Sequence, residues 1–380
     1  MKKKIGSCLH EEDHGSAVQN EEDRGSAVQN GEGRGLTGKK RKSVRRRVIL
    51  SLLAVLLAGA VTLLQLTPVP VSMATRFMFR NGPATAPENY EQIKDRVAVV
   101  ENIAYLSEYP ENLADVYTPT DLEGPYPVVL WVHGGAFVGG DKKDAAIFAT
   151  ALASEGIAVV CMNYARAPEK QYPVPVRQVE EAYRWMKSVS GEYSLDLNRL
   201  VLAGDSAGAQ IAAQFSAIQS NPDYADEMGF NAVVPSGTLR ALLLYCGPYS
   251  VLDIGNIDSL PVKFVIESVA WAYFGARDWK VRFSDQATIQ NHVTADFPPT
   301  FISDGNTLSF EEHGRSLADS LRLEGVVAET FFVPAEEEKT PHEYQFVMNT
   351  PAGEEVFQKT AAFIKRFTDG ISHEIPGVGQ

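Results

Sequence analysis

The sequence predicts an α/β fold, a mainly parallel central sheet flanked by helices. Three observations predict it. Strand-like and helix-like runs alternate from residue 93 onward. Several strand-like runs are short and wholly apolar, as strands buried on both faces are. A glycine-flanked serine stands where one such run passes into a helical one.

The elements follow in order. Val97–Ile103 and Leu113–Tyr117 read as opening strands, and Pro127–Val132 (PVVLWV) as a strand covered on both sides. Ala145–Ala153 reads as a helix and Ile157–Met162 as a strand. Val176–Val189 carries apolar residues near a 3.6-residue spacing and is expected to be helical. Leu200–Ala203 is a strand leading into a helix from Ala207 to about Gln219, and Leu239–Tyr245 is another strand. Residues 248–297 break the rhythm and are expected to form a helical cap over the sheet's C-terminal edge. Pro299–Ser303 resumes as a strand, followed by helix Glu311–Leu323, strand Val327–Val333 and a closing helix, Glu354–Phe367.

Upstream of this domain (93–370) the composition changes. Residues 1–47 contain a tandem decapeptide, Glu11–Asn20 and Glu21–Asn30, with almost no apolar residue large enough to build a core. Such a segment cannot offset the entropy of ordering and is expected to be a disordered tail. It ends in seven positive charges between Lys39 and Arg47. Val48–Leu66 then runs for 19 residues without a charge, and a helix of that length approaches the thickness of a bilayer's hydrocarbon core. The basic flank predicts a cytoplasmic N-terminus and the domain 93–370 on the far side. The rival expectation is a signal peptide cleaved near Ala58-Gly59-Ala60, leaving a secreted body. Residues 67–92, with four prolines, read as a juxtamembrane linker, and 371–380 as a C-terminal tail.

Charge excludes one class of function. The first 47 residues hold 12 Lys/Arg against 7 Asp/Glu, whereas the other 333 hold 23 against 41. A body that acidic is poorly suited to neutralising phosphates, so no nucleic-acid partner is expected. The three cysteines, Cys8, Cys161 and Cys246, have no metal-ligand spacing. The latter two lie in apolar runs and are expected to be buried free thiols.

Gly204-Asp205-Ser206-Ala207-Gly208 follows a strand and opens a helix. Glycines on both sides allow the sharp turn that leaves a serine exposed at the sheet edge, and the helix N-terminus behind it favours developing negative charge. Ser206 is the expected nucleophile. His133-Gly134-Gly135-Ala136-Phe137 follows the PVVLWV strand, and adjacent glycines there can turn backbone N–H groups toward a small concave space. Gly134, Gly135, Ala136 and Ala207 are the candidate oxyanion-hole residues.

With these motifs in place, the chain resembles the hormone-sensitive-lipase-like branch of the α/β-hydrolase superfamily. Its HGGAF segment, the stretch Asn163–Trp185 and the GDSAG elbow stand in that branch's order. The resemblance implies an α/β-hydrolase fold with a helical cap, no metal or organic cofactor, and acyl transfer through a Ser–His–acid triad. It implies oxyanion donors at Gly135, Ala136 and Ala207, with Ala136 where relatives carry a third glycine. It also places the base after the last strand, at His342, and leaves His133 outside the mechanism. Asp304, at the end of the strand before His342, is the expected acid, with Glu311 or Glu312 as substitutes; relatives carry the acid further on, where this chain has Leu308. Trp271, Tyr273 and Phe274 could line an acyl pocket or form cap core. The expected activity is that of a carboxylesterase or acetylesterase acting on a small-molecule, short-chain ester. An amidase, peptidase or acyltransferase using the same triad, or a surface binding module without turnover, are the alternatives.

Overall fold

A computed structural model describes residues 35–80, 82, 84–254 and 259–369 of the chain. The decapeptide repeat and the C-terminal tail from 371 lie outside them. The chain forms two compact units, Met1–Thr62 and Leu63–Gln380. Helix α1 (Gly35–Leu66) contains the apolar run. Its segment Arg41–Leu66 contains an 18-residue window of mean hydropathy 2.4 and is long and apolar enough to cross a membrane.

The second unit contains the sheet. Strands β1 (Val97–Ala104), β2 (Leu113–Pro119), β3 (Tyr126–Val132), β4 (Ala158–Met162), β5 (Leu195–Asp205), β6 (Leu239–Tyr245), β7 (Thr300–Asp304) and β8 (Ala328–Phe332) lie in the order β1-β2-β4-β3-β5-β6-β7-β8. β1 and β2 pair antiparallel with each other, and β2 pairs antiparallel with β4. Every pairing from β4 to β8 is parallel. This agrees with the mainly parallel sheet expected.

Two apolar clusters cover the sheet's faces. One side carries α5 (Val174–Val189) and α6 (Ala207–Ser220); the other carries α4 (Ala146–Ser154) and α11 (Pro351–Thr368). Burial on both faces explains the runs without alternation in β3 and β4. In α5 the inward residues Val176, Val179, Ala182, Tyr183 and Met186 follow the helical period; the charged residues lie off that stripe, and the one buried amide, Gln178, is hydrogen-bonded to the Ala165 N–H and the Pro110 carbonyl. Helix α10 (Glu311–Leu323) packs on β7 and β8.

α6 is buried from Ala207 through Ile218, so it is built mainly of small residues. The closest approach lies at Gly208, where a Cβ would meet the Val132 carbonyl oxygen at 2.0 Å. Neither backbone can yield without moving β3 or the helix. Gly208→Ala is therefore expected to destabilise the fold by about 3 kcal/mol, read as a lower Tm in thermal unfolding.

The segment expected as a linker is structured. It contains α2 (Val69–Met78) and α3 (Tyr90–Lys94). Pro68 and Pro70 sit at the start of α2, where proline costs no helical hydrogen bond. Arg76 anchors the helix to the body: Nε donates to the Val138 carbonyl at 2.5 Å and Nη2 to the Ala167 carbonyl at 2.8 Å. Nη1 and Nη2 both donate to the Glu169 carboxylate. Three further helices not expected by residue range are α7 (Pro222–Met228) and, within the 248–297 insertion, α8 (Leu260–Phe274) and α9 (Trp279–Phe283). α2 packs against α8, so the helical cap receives a contribution from the segment before β1.

Candidate active site

Five segments at the C-terminal ends of the parallel strands supply the site. At the β5–α6 junction the chain turns through Ser206 with φ 50° and ψ −119°. A non-glycine residue in that region is strained, and the strain is a feature of an elbow that presents its side chain outward. The Ser206 N–H is held by the Tyr245 carbonyl on β6 at 2.7 Å, which fixes the turn.

His342 lies in the loop after β8. Its Nε2 is 2.9 Å from Ser206 Oγ, across 136 residues of sequence. Burial lowers the imidazole's pKa to about 4, so it is neutral near pH 7 and can accept a proton. On the other side of the ring, Nδ1 is 2.7 Å from Ser309 Oγ. The Ser309 hydroxyl in turn donates to Asp304 Oδ1. Asp304 thus reaches the imidazole through a serine, although its carboxylate, the imidazole and the Cys246 thiol all lie within 4.8 Å of one another. Burial raises Asp304 to about 7, against the pull of hydrogen bonds led by that of Ser309.

The other candidates for the acid are elsewhere. Glu311 pairs with Arg315 one turn along α10, and Glu312 is exposed on the same helix. Leu308 is 92% exposed, with φ 51°. It swings out of the loop and lets Ser309 turn toward the histidine. Nothing in the residue type marks Ser309 for this place. A serine in a loop is usually just a turn residue.

The His133–Phe137 turn lies beside the elbow. Gly135, Ala136 and Phe137 have φ values of 104°, 55° and 61°, a run of left-handed backbone that turns successive N–H groups the same way. Gly134 departs from the expectation. Its N–H donates to Asp205 Oδ2 at 2.7 Å and is not free to bind an oxyanion. Ala207 is the first residue of α6, where helical N–H groups have no helical partner. His133 is fully buried, stacked 4.4 Å from the Tyr164 ring, with Nδ1 against the Gly134 carbonyl. Burial lowers its pKa to about 4. It supports the turn.

Behind the turn, Lys142 and Asp115 form a buried ion pair at 2.8 Å, tying β2 to the residues after Gly140. Tyr273 of α8 stacks on Phe137 with ring centroids 3.9 Å apart, and Phe274 stacks on Trp279 and Phe283. The cap aromatics therefore pack largely on one another. A cavity of about 560 Å³ opens beside the relay, lined by Ser250, Asn306, Ser309, Phe310 and His313 among others. Cys161 and Cys246 are buried free thiols.

A strained serine hydroxyl, a neutral imidazole within hydrogen-bond reach and a buried carboxyl behind it have the parts needed for nucleophilic acyl transfer. The comparisons point the same way. The BD-FAE family model matches residues 114–313. Esterase LipI of Mycobacterium tuberculosis is 30% identical over 211 residues, covering 53% of this chain and 62% of that protein. The Arabidopsis thaliana protein named "Probable isoprenylcysteine alpha-carbonyl methylesterase ICMEL1" is 27% identical over 200 residues, 52% of this chain and 41% of the relative. The chain thus spans about half the length of these curated relatives. Among solved structures, an inhibited esterase B from Lactobacillus rhamnosis superposes with a TM-score of 0.64 at 20% identity, over 84% of this chain and 97% of that one. The fold is that of the α/β-hydrolases.

Proposed function

The chain belongs to the BD-FAE family, and on that premise we propose that it is a serine carboxylic-ester hydrolase with Ser206 as nucleophile and His342 as general base. The observation that carries this is the 2.9 Å approach of His342 Nε2 to Ser206 Oγ at an elbow with φ 50°. The esterase names of the relatives support it.

In the proposed reaction Ser206 Oγ attacks the ester carbonyl carbon while its proton passes to His342 Nε2. The carbonyl electron pair moves onto oxygen, held by the N–H groups of Gly135, Ala136 and Ala207. Collapse breaks the ester C–O bond, and the leaving alkoxide takes the proton from Nε2. Water then attacks the acyl-serine, gives a proton to His342, and releases the acid as Ser206 recovers its hydrogen. Asp304 supports the imidazolium through Ser309.

The substrates that fit this reading are short-chain or acetyl esters. Helix α1 is the proposed membrane span, its basic flank keeping the N-terminus cytoplasmic and the catalytic body on the opposite side. The test is turnover of acetyl and butyryl 4-nitrophenyl esters and their amide counterparts by the full chain, together with labelling by a fluorophosphonate. Ester hydrolysis well above amide hydrolysis, with stoichiometric labelling, is expected. Absence of both turnover and labelling overturns the reading.

A further inference from the structure

Two acids unused by these steps flank both reacting residues in the chain. Asp205 precedes Ser206 and Glu343 follows His342. Both are buried, at 3% and 8% exposure, and they meet in a hydrogen bond. A Cβ on Gly134 would fall 2.4 Å from Asp205 Oδ2 and 2.7 Å from Glu343 Oε1. The two carboxyls therefore close together over that glycine, where only a hydrogen fits.

Two ionised carboxylates in one dry site repel strongly, so such a pair holds a proton between them. The donors show where it resides. Asp205 Oδ1 accepts from Trp131 Nε1 at 2.7 Å and Oδ2 from the Gly134 N–H at 2.7 Å. Among the described residues Glu343 has no comparable backbone or indole donor, so the anion settles on Asp205 and Glu343 donates its hydroxyl. The surroundings agree. Asp144 faces the pair with a third acid, and the Tyr164 phenol and Cys161 thiol beside Asp205 are held neutral by burial. Among the described residues no lysine or arginine pairs with either acid. Burial and then the charge of Asp205 push Glu343 well above the usual carboxylate range.

The placement matters because Glu343 Oε1 is 3.9 Å from His342 Nε2. An ionised Glu343 would attract the proton that Nε2 must hand to the leaving group. Glu343 also sits at φ 59°, a conformation that the loop needs a tether to hold. Resting on the serine-hydrolase reading, we infer that Glu343 is a positioning residue. Kept protonated by Asp205, it ties the base loop to the nucleophile elbow and the Gly134 turn without presenting an anion to His342.

The full chain and its Glu343→Gln and Glu343→Ala variants decide this. Glutamine keeps a donor toward Asp205 and cannot ionise. Glu343→Gln is expected to retain most of the parent's kcat on 4-nitrophenyl acetate, whereas Glu343→Ala loses about 10²-fold in kcat with KM nearly unchanged. Losing the Glu343 proton at high pH gives the parent an alkaline decline, which Glu343→Gln lacks. Infrared difference spectra at pH 7 between parent and Glu343→Gln should contain the C=O stretch of a protonated carboxyl. A glutamine variant as impaired as alanine, or a difference spectrum with carboxylate bands alone, overturns the inference. The infrared result reads the proton directly and does not depend on turnover. An inactive, unlabelled parent would instead count against the serine-hydrolase reading.

Discussion

Ser206→Ala and His342→Ala are each expected to cut kcat for ester hydrolysis by about 10⁶-fold, and the double variant to be no worse than either single one. The reason is the 2.9 Å contact between Oγ and Nε2. A serine hydroxyl is a poor nucleophile until a base takes its proton during attack, and an imidazole without the serine has no covalent step to assist. Removing either leaves whatever the backbone donors and substrate binding contribute alone. In the proposed reaction the two residues act as one device, so their free-energy losses should not add. Steady-state rates on 4-nitrophenyl acetate and fluorophosphonate labelling read the effect, with circular dichroism confirming that the variants fold. Losses in the double variant equal to the product of the single losses would mean that the groups act independently, contrary to their geometry. His313, the other histidine beside the cavity, serves as an internal control. Its Nδ1 accepts from the Ser250 N–H at 3.2 Å, and it makes no contact with Ser206.

How far the site could be read from sequence depended on the range of the interactions. β3, β4 and the β5–α6 elbow were legible because burial on both faces and a glycine-flanked turn leave a local imprint. Helix α2 was hidden by Pro68 and Pro70, which look like linker residues but occupy a helix start. The role given to Gly134 failed on a contact 71 residues away. Its N–H looks free in the HGGAF segment until folding brings Asp205 against it. Ser309 left no signal at all. Its place depends on Leu308 taking a left-handed backbone and on β7 and the His342 loop converging around it. Glu343 was overlooked because an acid beside a histidine in an acidic loop reads as solvated surface, whereas the fold buries it.

The relay through Ser309 predicts a second large effect, with a characteristic dependence on pH. When Asp304 is ionised it can only accept, so the Ser309 hydroxyl must donate to it. The Ser309 oxygen is then left to accept from Nδ1–H of His342. That tautomer leaves a lone pair on Nε2, facing Ser206. Protonating Asp304 allows the chain of hydrogen bonds to reverse. The acid then donates to Ser309, Ser309 donates to Nδ1, and the proton ends on Nε2, where the base can no longer act. On the proposed mechanism the active form is therefore the carboxylate, lost as pH falls through about 7. His342 itself titrates near 4 and stays neutral over that interval. The acid limb of kcat/KM is expected near pH 7 in the parent. Asp304→Asn should lose about 10³-fold in kcat, because an amide NH₂ can hold the wrong tautomer at every pH. Its residual activity should lack the limb near 7 and decline only toward 4. Ser309→Ala removes the bridge and should lower kcat by about 10²-fold, since the nearby carboxylate can still stabilise the imidazolium through space. An Asp304→Asn enzyme with the parent's rate and acid limb would show that another group orients the base, and the relay would be only a structural contact.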